Sequence, residues 1–597
     1  MNKTFDQQQT VPSIFFRHVH KHARKPVFAD YINDSWQWLS WQEAAQIIAS
    51  YALHLQSLGI EKGDTVAIMG ENSSAWIMAD LAIQSLGAVT VPLYPSGSRQ
   101  QTEYILNHAN VKIALLGESV LSHPAFKTLG HYQSLKHVLS ISPKTTLSSP
   151  IPQLDKTNLN NNNINILISH INSIDPESLS SIIYTSGTTG QPKGVMLSHK
   201  NIFFNAWHCS RVVDDIGPND CHLAFLPLCH AFERTAASYT CMMTACKIAF
   251  ADDINKVSIY LGQVNPSLMF TVPRVLEKVH TAILNKLHPM PLRIGKLILQ
   301  YIELNSDPVN MSNMKFSQKL LLALLKKTFF KRIAHKFGKR LRYIVSGGAA
   351  LNPDLSKFFK GIGLVILQGY GQTEASPVIS TNRPDNPKTD TVGPPLPDVI
   401  YKIDPESHEL MVKGPSIMMG YYKNDEATQN AFSEDGYLKT GDIAQIDADG
   451  HIVITDRIKD IIVSSGGKNI APSPIENALK SNPYIENACV IGEGRKYLSV
   501  LIAPDHHGLE QWIKRRQLKH LLELNSNERL QQPEILKHYQ AIIDTINDSL
   551  ASYETLKYFT LLEEAFCQEN NTLTPTLKLK RKEIRQHYKQ QIDAMYR

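Results

Sequence analysis

The segment Tyr184-Thr-Ser-Gly-Thr-Thr-Gly-Gln-Pro-Lys-Gly194 packs three glycines, five hydroxyl-bearing residues and one lysine into eleven positions. It follows Ser181-Ile-Ile183, an apolar run that reads as a strand. Glycines let a backbone approach an anion closely, while N–H groups, hydroxyls and the lysine supply donors and charge. The residue types suit polyphosphate. Lys193 lacks the Gly-Lys-Ser/Thr context of a Walker A loop, so a P-loop NTPase is a poor reading. By itself the segment also fits a flexible Ser/Thr/Gly linker.

Four other segments carry chemistry-capable residues. Leu367-Gln-Gly-Tyr-Gly-Gln-Thr-Glu-Ala-Ser376 places an aromatic ring between glycines and a carboxylate four residues later. The ring can stack on a base, and a carboxylate near polyphosphate suits magnesium; a strand-to-turn junction with an incidental Glu is the bland alternative. Tyr437-Leu-Lys-Thr-Gly-Asp442 and Asp456-Arg457 offer a carboxylate for sugar hydroxyls and a guanidinium for sugar or phosphate, or merely a turn and a surface ion pair. Leu226-Pro-Leu-Cys-His-Ala-Phe-Glu-Arg234 sets His230 beside an aromatic ring, although a lone His is more often structural. Thr574-Pro-Thr-Leu-Lys-Leu-Lys-Arg581 alternates lysines with apolar residues, the usual mark of a solvated strand or tail.

The elements that must hold these segments alternate. Thr65–Met69 and Ala88–Leu93 read as strands, and Trp41–Leu58 reads as a helix, which points to α/β layers. A chain of 597 residues needs two or more domains. With 43% hydrophobic and 19% charged residues its composition is globular, and a net charge of +6 does not argue for nucleic acid. Residues 143–172, rich in Ser, Pro, Asn and Thr, read as a surface loop. No signal peptide is expected from the polar start. The apolar stretch Ala236–Ala251 contains Tyr239, Thr240, Thr244 and Lys247 and falls short of a spanning helix. Seven scattered cysteines match no zinc spacing and read as buried thiols of a reducing, cytoplasmic protein. His18, His20 and His22 lie among Arg17, Lys21, Arg24 and Lys25, which oppose a metal cation, so a surface helix is expected there.

Together the five segments resemble the core motifs of the adenylate-forming, AMP-binding superfamily, over nearly the whole chain. Within it the likeness is to long-chain fatty acid CoA ligases. It rests on His230-Ala-Phe-Glu-Arg234, Phe270-Thr-Val-Pro-Arg-Val-Leu-Glu-Lys278 and Ser464-Ser-Gly-Gly-Lys-Asn-Ile-Ala-Pro472, the last with Lys468 where the widespread form has an acidic residue. The resemblance implies an α/β fold: a large multi-layer N-terminal domain over 1–458 and a smaller, mobile α+β C-terminal domain over 459–597, with the hinge near Lys459.

It also implies a site. ATP phosphates would lie along Thr185, Ser186, Gly187, Thr188, Thr189, Gly190 and Lys193, with Mg2+ on Thr185 and Glu374. Ser346-Gly-Gly-Ala349, including Gly348, would form the adenine pocket with Gln368, Gly369, Tyr370, Gly371 and Thr373, Tyr370 being the stacking ring. Asp442 and Arg457 would hold the ribose. His230 would lie at the gate near the substrate carboxylate, and Gly466 and Gly467 would line the CoA channel. Lys578 would be the adenylation lysine; Leu577 stands where the common pattern has Gly, so Lys580 is kept as the alternative. The implied reaction is ATP-dependent conversion of long-chain fatty acids to acyl-CoA through an acyl-adenylate, releasing AMP and pyrophosphate. The alternatives are transfer to an acyl carrier protein and a catalytically inactive membrane adaptor. The Gly466-Gly467 pair favours CoA, and retention of Thr185, Lys193, Glu374, Asp442, Arg457 and Lys578 argues against the adaptor.

One segment falls outside that chemistry. Lys315 to Arg342 holds ten Lys or Arg, one His and no acidic residue, with an apolar row at Leu325, Phe329, Ile333, Phe337 and Leu341. A basic amphipathic helix there would make peripheral contact with anionic lipid; a core helix with a solvated basic face is the other reading.

Overall fold

A computed structural model describes residues 9–127, 130, 132–142, 151–155, 159–185, 191–287, 292–306, 314–465, 468–574 and 578–596, with side chains omitted at 285–287 and 292–293. Two large sheets dominate. In the first, eight strands run Val378–Thr381, Val365–Gly371, Tyr343–Ser346, Leu268–Thr271, Cys221–Ala224, Lys247–Phe250, Pro26–Ile32 and Ser35–Ser40. In the second, seven strands run Gly420–Tyr421, Lys193–Ser198, Leu179–Thr185, Val89–Leu93, Thr65–Met69, Ile113–Leu116 and His137–Ser140. Helix Ser74–Ser85 touches strands of both sheets, and all twelve of its residues are buried. An apolar layer between two sheets explains why this helix has almost no polar face.

The polar residues it does carry are matched. Asp80 accepts from Arg234 Nε at 2.9 Å and Nη2 at 2.5 Å, and Arg234 Nη1 reaches Ser181 Oγ at 2.7 Å. Arg234 is 1% exposed, so this bidentate pair fixes the helix against the strand that leads into the phosphate-loop motif. Glu233 is equally buried and meets His222 Nε2 at 2.9 Å. Two of the residues that carry the resemblance around His230 are therefore scaffold.

A four-stranded sheet, Ile400–Ile403, Glu409–Lys413, Leu438–Ile446 and Ile452–Arg457, follows. From Ile462 onward the chain builds separate cores around the strands Ile485–Ile491, Leu498–Pro504 and Leu556–Leu561.

The structure corrects some expectations and bears out others. Residues 161–171 are a helix, not a loop: Asn160 Oδ1 caps it by accepting from Asn162 N at 2.8 Å, and Ile164, Leu167 and Ile171 bury one face. Helix Val11–His22 exposes His20 but buries His18 and His22, and His18 Nε2 lies 3.0 Å from the Met243 carbonyl. Burial pushes the His18 imidazole down to about 4. Ala236–Ala251 divides into helical turns and the strand Lys247–Phe250, all within the core. Six of the seven cysteines are buried free thiols; Cys567 is half-buried.

In the basic segment the chain is helical over Phe316–Leu325, passes through one wider turn at Lys326–Phe330 and continues to Ala334. The row Leu325, Phe329, Ile333, Phe337 and Leu341 packs against the protein's own core. The opposite side carries an outward apolar ridge at i, i+4 spacing: Phe316, Leu320 and Leu324 are 83, 65 and 57% exposed. Among the described residues no helix is long and apolar enough to cross a membrane.

Candidate active site

The phosphate-loop motif joins two antiparallel strands, with Thr185 opposite Lys193 at the mouth of the hairpin. Ser186, Gly187, Thr188, Thr189 and Gly190 lie outside the described residues. Gly194 is required because a Cβ there would come within 2.8 Å of Ile182 Cγ2. Tyr184 anchors the strand end through a 2.7 Å hydrogen bond between its hydroxyl and His108 Nδ1.

The short strand Gly420–Tyr421 pairs alongside, with Tyr421 opposite Val195. Lys193 Nζ lies 5.1 Å from the centre of the Tyr421 ring, and the Tyr421 hydroxyl donates to Glu374 Oε1 at 2.9 Å. Glu374 sits on the tight turn Thr373–Ala375, and its carbonyl accepts from Met418 N at 2.9 Å. Thus Tyr421 links the lysine of one motif to the carboxylate of the other. Sequence reasoning missed it. The only sign is an aromatic pair after a glycine, Gly420-Tyr-Tyr422, and the contact is made across distant stretches of chain.

Strands Tyr343–Ser346 and Val365–Gly371 run parallel, with Ser346 opposite Gln368. The turn Gly347-Gly348-Ala349 therefore emerges beside Gly369 and Tyr370. Gly348 has φ +83°, and a Cβ on Gly347 would press to 3.0 Å against the Phe232 ring. Gly371 has no room for a side chain, since a Cβ would fall 1.8 Å from the Pro377 carbonyl. The Gln368 side chain is buried and donates to the Thr389 carbonyl at 2.8 Å. It is occupied in holding the loop after the strand, so only its backbone borders the cleft. Tyr370 donates to Asp442 Oδ2 at 2.6 Å, and Arg457 Nε reaches Asp442 Oδ1 at 2.9 Å. Asp442 and Arg457 are paired across neighbouring strands, which fixes this carboxylate–guanidinium unit at the cleft wall. Burial and then Asp442 raise the Tyr370 phenol far above its ordinary range.

The C-terminal segment completes the cleft. Leu573 and Leu579 bridge, Lys578 N donates to Thr574 Oγ1 at 3.0 Å, and Thr574 N donates to the Lys578 carbonyl at 2.8 Å. Residues 573–574 and 578–579 are thus paired with each other, and residues 575–577 lie outside the described residues. Lys578 projects toward the large domain. Its side chain keeps surface open to the cleft, yet protein crowds its ammonium, which is pushed down to about 8 by desolvation first and Arg457 second. Asp442, Glu374 and Asp460 act in the opposite direction. His230 feels the same lysine. Burial and then Lys578 push its imidazole down to about 4, and its Nδ1 accepts from Phe232 N at 3.2 Å. The ring is therefore neutral near pH 7 with its proton on Nε2. Lys580 Nζ instead bonds to Asn571 Oδ1, away from this group.

Lys459 lies in the turn Ile458–Asp460. On either side, Asp456 accepts from Ser473 N at 3.2 Å and Oγ at 3.0 Å, while Arg581 clamps Glu476 at 2.7 and 2.8 Å and stands 3.4 Å from Asp460. Gly466 and Gly467 lie outside the described residues.

Tyr370, the Asp442–Arg457 pair and Glu374 with Tyr421 from the large domain stand near Lys578 of the second core, the arrangement expected of an adenylate-forming enzyme. The chain belongs to the AMP-binding enzyme family: the AMP-binding enzyme model matches residues 15–422 and its C-terminal domain model residues 459–597. A long-chain-fatty-acid–CoA ligase of Mycobacterium bovis is 30% identical, covering 99% of this chain and 98% of the relative. Fatty acyl-CoA synthetase B of Dictyostelium discoideum is 27% identical over 99% of this chain and 91% of its own. Among solved structures, the anthranilate CoA ligase AuaEII in complex with anthranoyl-AMP aligns with a TM-score of 0.71 at 18% identity, over 99% of both chains. The adenylation domain of a carboxylate reductase from Mycobacterium chelonae aligns at 0.74 and 22%, over 98% of this chain and 91% of that one. These structural matches establish the fold.

Proposed function

We propose that this protein converts long-chain fatty acids to acyl-CoA with ATP, through an acyl-adenylate, releasing AMP and pyrophosphate. The observation that carries the reading is Lys578. It is brought from the small domain into the field of Asp442, Glu374 and Arg457, three residues on separate strands and turns of the large domain. The full-length likeness to proteins named long-chain acyl-CoA ligases supports the choice of substrate and of CoA over a carrier protein. The deciding assay is AMP and thioester formation with CoA across fatty acids of graded length. Thioester only on a phosphopantetheinylated carrier, or no pyrophosphate release at all, overturns the reading.

Thr185 and Lys193 would bind the ATP phosphates together with Ser186 to Gly190. The turn at Gly348 and Ala349, the strand Gln368–Gly371 and Thr373 would border adenine, and Asp442 with Arg457 would take the ribose. Thr185 and Glu374 offer hard oxygen donors. Glu374 Oε1 already accepts from Tyr421, so Oε2 would be the oxygen available to a metal. Magnesium takes few protein oxygens and keeps water and phosphate oxygens, so this donor set suits it. When bound it would neutralise phosphate oxygens as charge moves onto pyrophosphate. Lys578 would hold the fatty carboxylate against the α-phosphate, two anions that repel without it. Neutral His230, protonated on Nε2, would donate to the carboxylate rather than compete for the proton. Residues 459–597 would then turn about Lys459, withdraw Lys578 and bring Gly466 and Gly467 to the CoA thiol. Tyr421→Phe keeps the ring under Lys193 but removes the bond to Glu374. Pyrophosphate exchange into ATP should fall about 3- to 10-fold, the worth of one hydrogen bond; no change would dismiss Tyr421 as a support for Glu374.

We further infer that the helix from Phe316 to Ala334 touches anionic lipid at a cytoplasmic surface. The support is the outward ridge of Phe316, Leu320 and Leu324 beside exposed Lys319, Lys327 and Lys331. Reversing Lys326, Lys327, Lys331 and Arg332 to Glu, or changing Leu320 and Leu324 to Ser, should weaken co-sedimentation with anionic vesicles. Activity on short soluble acids should be unchanged, and wild-type binding should fall as salt rises. Co-sedimentation indifferent to both sets of changes and to salt would remove the membrane role.

A further inference from the structure

The stretch Phe270 to Lys278 carries part of the family likeness, yet the adenylation chemistry gives it no task. Its first residues end the strand Leu268–Thr271, next to the strand that leads into Gly347 and Gly348. Val272 backs that turn: its Cγ1 lies 3.6 Å from where a Cβ on Gly348 would be. Two residues later Arg274, in the first turn of helix Pro273–Leu287, crosses to the small domain. Its Nη1 donates to the Glu486 carbonyl at 2.7 Å and its Nη2 to Glu486 Oε1 at 2.6 Å. The guanidinium also stands 3.6 Å from Glu277, which orients it from its own helix. Glu486 belongs to the strand Ile485–Ile491, whose neighbours Ile485, Ala488 and Val490 are core residues of the small domain.

The chemistry of this contact suits reversible closure. The two side chains are 24 and 31% exposed, so neither charge is stranded in a dry interior when the pair opens. Two parallel charge-assisted bonds to one residue also fix direction, which a single contact does not. The other cross-domain bonds on this side are weaker or lie at the hinge. Asn352 Nδ2 meets the Asn477 carbonyl at 3.5 Å, while the Asp456–Ser473 contact flanks Lys459.

We propose that Arg274 and Glu486 form an interdomain latch that holds the small domain in the orientation presenting Lys578 to the cleft. Arg274 is then a positioning residue for adenylation, acting through the domain rather than on substrate. The inference rests on the alternating-domain reading above. Rotation carries Glu486 away with its strand, so both bonds break before the thioester step. The latch favours the first half-reaction and opposes the second. Because Val272 lies behind the Gly348 turn, filling or emptying the adenine side has a two-residue path to the latch.

The test uses the full-length protein. Glu486→Lys sets a like charge against Arg274. Pyrophosphate exchange into ATP should fall on the order of 10-fold, a usual size for a coupling between two states. Thioester formation from supplied acyl-adenylate and CoA should hold or rise. A dye pair with one member on each domain should report fewer closed molecules before any nucleotide is added. Arg274→Glu combined with Glu486→Lys restores opposite charges, though not the bond to the Glu486 carbonyl, and should recover part of both signals; a merely structural role would not be rescued by the swap. Equal loss in both half-reactions, unchanged exchange, or no recovery in the swapped pair overturns the latch. If Glu486→Lys loses its cooperative unfolding transition, Glu486→Gln carries the test, with exchange down about threefold because both acceptor oxygens remain and only the carboxylate charge is lost. Should the wild type make no acyl-adenylate from any fatty acid, the proposed function fails, while the dye distance in Glu486→Lys still decides the latch.

Discussion

Lys578→Ala should slow acyl-adenylate formation on the order of 10²–10³-fold, because it removes a charged donor used where negative charge is forced together. The loss should be confined to that half-reaction. Thioester formation from supplied acyl-adenylate and CoA should survive, since the lysine has left the cleft by then. Lys580→Ala is the control and should be mild, as Lys580 is turned to Asn571. The pH profile gives a second readout. A lysine depressed to about 8 is charged below that pH and loses its proton above it, well short of an ordinary lysine. Since kcat/KM reports the free enzyme, kcat/KM for ATP in pyrophosphate exchange should decline as pH rises through about 8. Lys578→Arg should move that decline to higher pH. Severe loss at Lys580, or equal loss of both half-reactions at Lys578, would contradict the assignment.

Glu374→Gln should lower pyrophosphate exchange about 10²-fold, the scale of one lost electrostatic contribution to charge development. The amide oxygen still accepts from Tyr421, so the turn Thr373–Ala375 should keep its shape and only the negative charge is lost. The magnesium concentration for half-maximal rate should rise, while the KM for fatty acid stays near wild type. Exchange at the wild-type rate would show that magnesium is held elsewhere. Comparison with Tyr421→Phe separates charge from orientation: the first change should shift the magnesium requirement strongly and the second only slightly.

Local pattern in the chain determined a good deal. Gly371 passes too close to the Pro377 backbone for a side chain, Gly194 is crowded by the Ile182 and Tyr184 side chains, and Gly348 has a positive φ, so glycine suits each position for its own reason. Apolar runs before the phosphate-loop motif and before Gly369 are strands because each is buried on both faces between layers. Candidate site positions could be proposed from the chain because polyphosphate, ribose and a carboxylate each call for a narrow set of donors. Misreadings came where one short signal outweighed a longer one. The run Asn160 to Asn163 suggested a loop, but Ile164, Leu167 and Ile171 at helical spacing decided the matter by burial.

What only the tertiary structure decided are relations between distant stretches. Spacing in sequence cannot reveal that Tyr421 joins Lys193 to Glu374, that Gln368 turns its amide to Thr389, or that Arg234 is spent on Asp80. Nor can periodicity say which side of the basic helix faces the protein; the row at Leu325 to Leu341 packs inward against the apolar core, which leaves Phe316, Leu320 and Leu324 outside. The choice between Lys578 and Lys580 was open in the chain because both share one alternating pattern. In the structure Lys580 Nζ is taken up by Asn571 Oδ1, while Lys578 lies in the field of Arg457, Asp442 and Glu374, a difference the alternating pattern could not show.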